Sequence, residues 1–192
     1  VKEEYRKYWT DDFNKIFADM VSDLFFSDVI SEDSITEHQK YTEYLPVLTL
    51  EAAATAFGKE QQVEPLCWKK NKAGKGLNND YFIAKVIGKS MEPTIEDGDY
   101  CIFRFERGGS RNGLVVLVES RLASDPETFQ KFTVKRYKSE KEDIGDDQWR
   151  HKKIILSPDN KEFKDIVLEN VTGDDFRVVA EFVEVLVGNK KA

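Results

Sequence analysis

Two rhythms of apolar residues divide the chain. Over residues 3–26 they recur every three or four positions (Tyr5, Trp9, Phe13, Ile16, Phe17, Met20, Val21, Leu24), the spacing of one helix face. Thr10-Asp11-Asp12 offers a cap inside that stretch, so a pair of shorter helices fits as well. Beyond Tyr44 the pattern changes to short β-branched and aromatic runs bounded by turn residues, which predict strands over 81–87, 100–105, 132–137, 154–156, 166–168 and 176–187. The alanine-rich stretch 50–57 reads as a helical turn. Polar residues fill the intervals. Residues 27–43 read as a linker or short second helix, 138–153 as a charged loop, and 120–131 as a loop longer than a simple hairpin needs.

The stretch YFIAKVIGKSMEPTIEDGDYCIF (81–103) organises the rest. Gly88 stops the first strand, Asp97-Gly98-Asp99 marks a turn, and Ser90 falls on the bend between the two strands. A hydroxyl there is presented to a cleft rather than held in a strand ladder. Downstream, FTVKRY (132–137) places Lys135 mid-strand on the face it shares with Thr133 and Tyr137, because side chains alternate with a period of two. A lone serine on a turn or a lone lysine on a strand is commonplace; the pair is what carries information.

The composition narrows the class. Of 192 residues, 40% are hydrophobic and 34% charged, the profile of a globular protein with a real core. No run of about eighteen apolar residues exists for a membrane span, and the opening VKEEYRKYW lacks the apolar segment of a secretory signal. The two cysteines, Cys67 and Cys101, do not make a disulfide framework and fit a reducing cytoplasm. His38 and His151 lack metal-ligand spacing, so no metal or cofactor is expected. The net charge is −7, and residues 1–44 carry most of it, with five Lys/Arg against eleven Asp/Glu. Neither part offers the basic face that nucleic acid requires, so direct nucleic-acid binding is disfavoured.

The GKSMEPTIEDGD and TVKRY segments together resemble the LexA-like serine peptidases, self-cleaving repressor and UmuD-like proteins related in fold to signal peptidases. LPVLTLEAAA, RNGLVVLVE, IILSPDNKEFKDIVLE and FRVVAEFVEVL follow in the family's order, so the likeness runs from Leu45 to Val187. It implies a mainly β domain over 45–192, preceded by an acidic helical extension or linker over 1–44. It implies Ser90 as nucleophile, Lys135 as general base, and the main-chain N–H groups of Lys89 and Ser90 as oxyanion donors. The self-cleavage bond falls at Ala53-Ala54, although the family usually has glycine after the bond and this chain does not. The family's repressors also carry a helix-turn-helix module that residues 1–44 do not form.

The sequence thus reads as a cytoplasmic Ser-Lys dyad peptidase acting on its own chain or on a tethered partner segment. By the resemblance it is a regulatory domain of a bacterial stress-response or nucleic-acid-processing protein. It is expected to pair as a homodimer through the C-terminal strand 176–187, whose two-residue apolar rhythm suits an edge. The alternative is a catalytically silent dimerisation or regulatory module of the same fold.

Overall fold

The computed structural model describes residues 29–57, 63–71, 77–105, 108–122, 124–145, 148–169, 171 and 175–187. The helix expected over 3–26 lies outside them. The strands are β1 (Val29–Ile30), β2 (Tyr44–Val47), β3 (Cys67–Lys70), β4 (Tyr81–Lys85), β5 (Tyr100–Phe105), β6 (Val115–Ser120), β7 (Phe132–Gly145), β8 (Gln148–Ser157), β9 (Ile166–Glu169) and β10 (Phe176–Val187). Among the described residues there is one α-helix, α1 (Leu50–Ala56). The strands form one sheet in the order β1-β3-β2-β4-β5-β10-β6-β7-β8-β9. Neighbours are antiparallel except β2 and β4, which run parallel. The architecture is mainly β, as expected, and the sheet reaches back to Val29, which pairs with Lys69.

β10 joins two halves of the sheet. Phe176 to Glu181 pair with β6, while Ala180 to Val187 pair with β5. Register shifts along both ladders mark bulges, which bend a strand and sharpen its twist. The sequence-based picture of β10 as an edge therefore needs correction: it is interior to the sheet, and its ladder to β6 ends at Glu181. Phe82, Phe103, Leu117 and Val134 fill the core beneath the central strands, with Ala53 and Ala54 of α1 packed into the same cluster. Phe82 stacks on Phe103 at 5.6 Å and lies 4.7 Å from the Phe105 ring. A second cluster, including Tyr137, Ile154 and Leu156, lies under β6 to β9.

Two further expectations change. The stretch 138–153, read as a charged loop, continues β7 and begins β8 as a long hairpin. Opposite charges face each other across it, Glu140 opposite Lys153 among them. Such pairs support a ribbon with no apolar alternation to announce it. Residues 27–43, read as linker or helix, supply β1 and a single 3-10 turn at Glu32–Ser34 within the described part.

Candidate active site

The serine bend is built by two turns that close on each other. Val86 N–H donates to the Asp99 carbonyl at 2.9 Å, and Gly98 N–H donates back to the Val86 carbonyl at 2.8 Å. The Asp97 carboxylate accepts the Gly88 N–H at 2.8 Å. Gly88 has φ +106°, a conformation that side-chain-bearing residues rarely adopt. From the far side, Asn160 clamps the bend. Its backbone N–H donates to the Ser90 carbonyl at 3.0 Å, and its side-chain amide donates to the Lys89 carbonyl at 3.1 Å. Because a peptide is planar and trans, anchoring the Lys89 carbonyl on Asn160 turns the Ser90 N–H the opposite way. The Asn160 turn is itself held by Asp159. That carboxylate takes two hydrogen bonds from Arg136, at 2.8 and 2.7 Å, and one from the Thr94 hydroxyl at 2.6 Å. The Arg136 hydrogen bond keeps the Asp159 carboxyl below its ordinary value despite burial.

β7 delivers the second group. Lys135 and Thr133 share a face, as the period-two reading expects, and Lys135 lies opposite Val116 of β6. The lysine is only 2% exposed. Its Nζ donates to Ser90 Oγ, to Thr133 Oγ1 and to Asp125 Oδ2, each at 2.8 Å. The structure thus brings Ser90 and Lys135 into direct contact across 45 positions of chain. They stand on the floor of a cleft of about 670 Å³ with apolar walls that include Leu48, Ile87, Met91 and Phe132. Met91 both lines the cleft and belongs to the core cluster.

Asp125 and Glu127 were not singled out by the sequence. Asp125, 5% exposed, pairs with Lys135 and accepts a short hydrogen bond from Thr133 Oγ1. Its other oxygen accepts the N–H groups of Glu127 and Thr128, both at 3.0 Å. Burial alone pushes the Asp125 carboxyl up; the hydrogen bonds from Lys135 and Thr133 outweigh it and hold the group at about 2. The lysine is therefore surrounded by polar partners within the apolar walls of the cleft. Glu127 accepts the Lys89 N–H with both carboxylate oxygens at 2.9 Å. The Lys89 donor is thus engaged by a side chain, whereas the Ser90 N–H is oriented by Asn160. The only advance signal for this loop was its excess length.

Ala53 and Ala54 are not brought to the serine. They sit in α1, at 0% and 1% exposure, packed into the core. Thr49 caps the helix, accepting the Ala52 N–H at 3.0 Å. Arg177 of β10 donates to the Ala54 and Phe57 carbonyls at its other end, at 2.5 and 2.8 Å. Leu50 and Glu51, at the helix start, do line the cleft. The alanine-rich stretch therefore follows its helical propensity and not the extended form a protease site requires.

Among the described residues, no group of three His, Cys, Asp or Glu is placed to hold a metal ion, and no helix is long and apolar enough to cross a membrane. Both cysteines are buried free thiols, with Cys67 pushed up to about 12 by burial.

A hydroxyl in contact with a lysine amine at a cleft is the arrangement of a serine peptidase that uses no histidine. No curated protein matches the chain. The model of the Peptidase S24-like family matches it over residues 46–183, from the second strand into the last. With well over half its length so matched, the chain belongs to the Peptidase S24-like family, the LexA- and UmuD-like serine peptidases.

Proposed function

We propose that Ser90 Oγ is the nucleophile of this domain and Lys135 its general base, acting on an extended segment of the same chain or of a tethered partner. The observation that carries this reading is the 2.8 Å contact between Lys135 Nζ and Ser90 Oγ, buried yet open to the cleft. A hydroxyl attacks a carbonyl only when a base takes its proton, and lysine does so only as the neutral amine. In the reaction the Oγ–carbonyl bond forms as the Ser90 proton moves to Nζ. Collapse of the tetrahedral adduct breaks the C–N bond, the new amine takes the proton, and water then releases the acyl group. The N–H groups of Lys89 and Ser90 stabilise the adduct's oxygen, a step that requires Glu127 to leave Lys89.

The context belongs to the same proposal: a cytoplasmic regulatory domain of a bacterial stress-response or nucleic-acid-processing protein, with no direct nucleic-acid contact by this chain. The homodimer remains part of it, formed along Phe176–Val187. Among the described residues, the side of β10 that pairs with β6 has no ladder beyond Glu181, which leaves its outer half to receive a second copy. Sedimentation at high micromolar concentration is expected to show a dimer; a monomer throughout would remove this element.

One observation favours a second reading, a silent dimerisation or regulatory module: the expected scissile bond is buried in α1. Prolonged incubation between about pH 7 and 10, the range over which an ordinary lysine begins to lose its proton, tests the autocleaving form of the peptidase reading. The peptidase reading predicts fragments cut within residues 51–57, formed faster as pH rises and absent in Ser90→Ala. A chain that stays whole throughout would exclude autocleavage and leave a tethered partner or the silent module.

A further inference from the structure

The loop between β6 and β7 sets one carboxylate on each half of the dyad machinery. Asp125 reaches Lys135 Nζ at 2.8 Å, and Glu127 takes the Lys89 N–H at 2.9 Å. The two are coupled, because the Asp125 oxygen that does not face the lysine accepts the Glu127 and Thr128 N–H groups and so shapes the turn that aims Glu127. The seat is close-fitting: a Cβ on Gly88 would come within 2.5 Å of Glu127 Oε2. At the loop tip Phe129 is 81% exposed, has φ +57° and lines the cleft.

Resting on the dyad reading above, we propose that residues 124–131 form an acidic latch that holds the enzyme at rest. Asp125 keeps Lys135 as an ammonium ion, Glu127 fills the oxyanion position at Lys89, and a peptide entering past Phe129 engages Ser90 only by displacing both.

The chemistry follows from lysine's donor count. As an ammonium ion Nζ has three N–H donors and three oxygen partners here, with no lone pair to receive the serine proton. A neutral amine could keep Asp125 and Thr133 as acceptors and turn its lone pair to Ser90. A carboxylate at contact distance, however, favours the cation. Thr133 contributes no charge. The other charged side chains on the cleft are Glu51 of α1, Lys85 of β4 and Lys131 of the loop. Arg136, next along β7, is committed to Asp159. Asp125 is therefore the charged group in direct contact with Lys135. Glu127 adds a second block, since an oxyanion cannot share the Lys89 N–H with a carboxylate already there. Substrate binding that withdraws the loop lifts both restraints in one movement.

The test uses p-nitrophenyl acetate as the probe. Ser90 Oγ bonds to the acetyl carbon, the ester C–O bond breaks, p-nitrophenolate leaves, and the hydroxyl proton passes to Lys135. Acetylation of Ser90 is followed by mass spectrometry with peptide mapping from about pH 6 to 11, a window spanning the ordinary lysine range. The full chain is compared with Asp125→Asn and Glu127→Ala. In Asp125→Asn the rising limb of the pH profile is expected to move down, with labelling at neutral pH at least about tenfold faster. Glu127→Ala is expected to label several-fold faster at every pH without moving the limb. If Asp125→Asn labels more slowly with the limb unmoved, Asp125 only positions the lysine and the latch is overturned. Glu127→Ala sits at a partly exposed loop position and carries the test independently should Asp125→Asn fail to fold; unchanged or slower labelling there overturns the latch too. If neither the unvaried chain nor either variant labels at Ser90, the dyad reading itself is overturned, and the latch with it.

Discussion

Ser90→Ala and Lys135→Arg are each expected to reduce acylation and cleavage to background while leaving the sheet intact. Ser90→Ala removes the atom assigned to bond the substrate carbonyl, so nothing of the proposed reaction remains. Lys135→Arg keeps a positive charge and hydrogen-bond donors but stays protonated at any usable pH. A lost general base costs roughly 10²- to 10⁴-fold in rate. Lys135→Ala loses the same function and also the partner of Asp125, so its rate loss must be read beside its stability. A Lys135→Arg variant that retained more than about a tenth of the rate would show that the lysine only positions or stabilises Ser90, since loss of a general base removes at least about 10²-fold.

The second large effect is on stability. Lys135→Met removes the ammonium and leaves the Asp125 carboxylate 5% exposed with no cation in contact. Breaking a buried ion pair from one side typically costs about 3–5 kcal/mol, most of it for the stranded charge. Denaturation in urea is expected to show a loss of that order for Lys135→Met, and Lys135→Met combined with Asp125→Asn is expected to recover much of it. The acid side carries a related signature. Asp125 is held at about 2 in the folded chain, below the ordinary carboxyl value of the unfolded one. Its contribution is therefore fully present above the unfolded value near about pH 4 and is lost as pH falls towards 2. Linkage puts it at roughly 2 kcal/mol. Wild type should lose that stability over this window and Lys135→Met much less. Equal acid slopes in the two proteins would mean that the pair contributes nothing net.

Much of the site was legible because local rules govern it. A strand, a glycine stop and a turn put Ser90 on a bend, and the two-residue period put Thr133 and Lys135 on one face. Asp125 and Glu127 were not legible, because a polar loop has no periodicity and their targets lie 10 and 38 positions away. Its excess length said that something was there without saying what. The alanine run read as a helical turn, which α1 bears out, but its anchoring by Arg177, more than a hundred residues downstream, is something no local pattern foretells. The β7–β8 hairpin was missed for a different reason. Its ribbon alternates charges across strands rather than apolar and polar residues along one, so a search for hydrophobic rhythm passes over it. For β10 the apolar rhythm identified the strand correctly but could not reveal that it changes partners midway.

The central claim is that Lys135 activates Ser90, and the pH dependence of Ser90 acetylation by p-nitrophenyl acetate tests it most directly. The account predicts a rate that climbs as the lysine loses its proton in the unvaried chain, and a flat background in Lys135→Arg. A Ser90 that labels in both proteins with the same pH profile would contradict it.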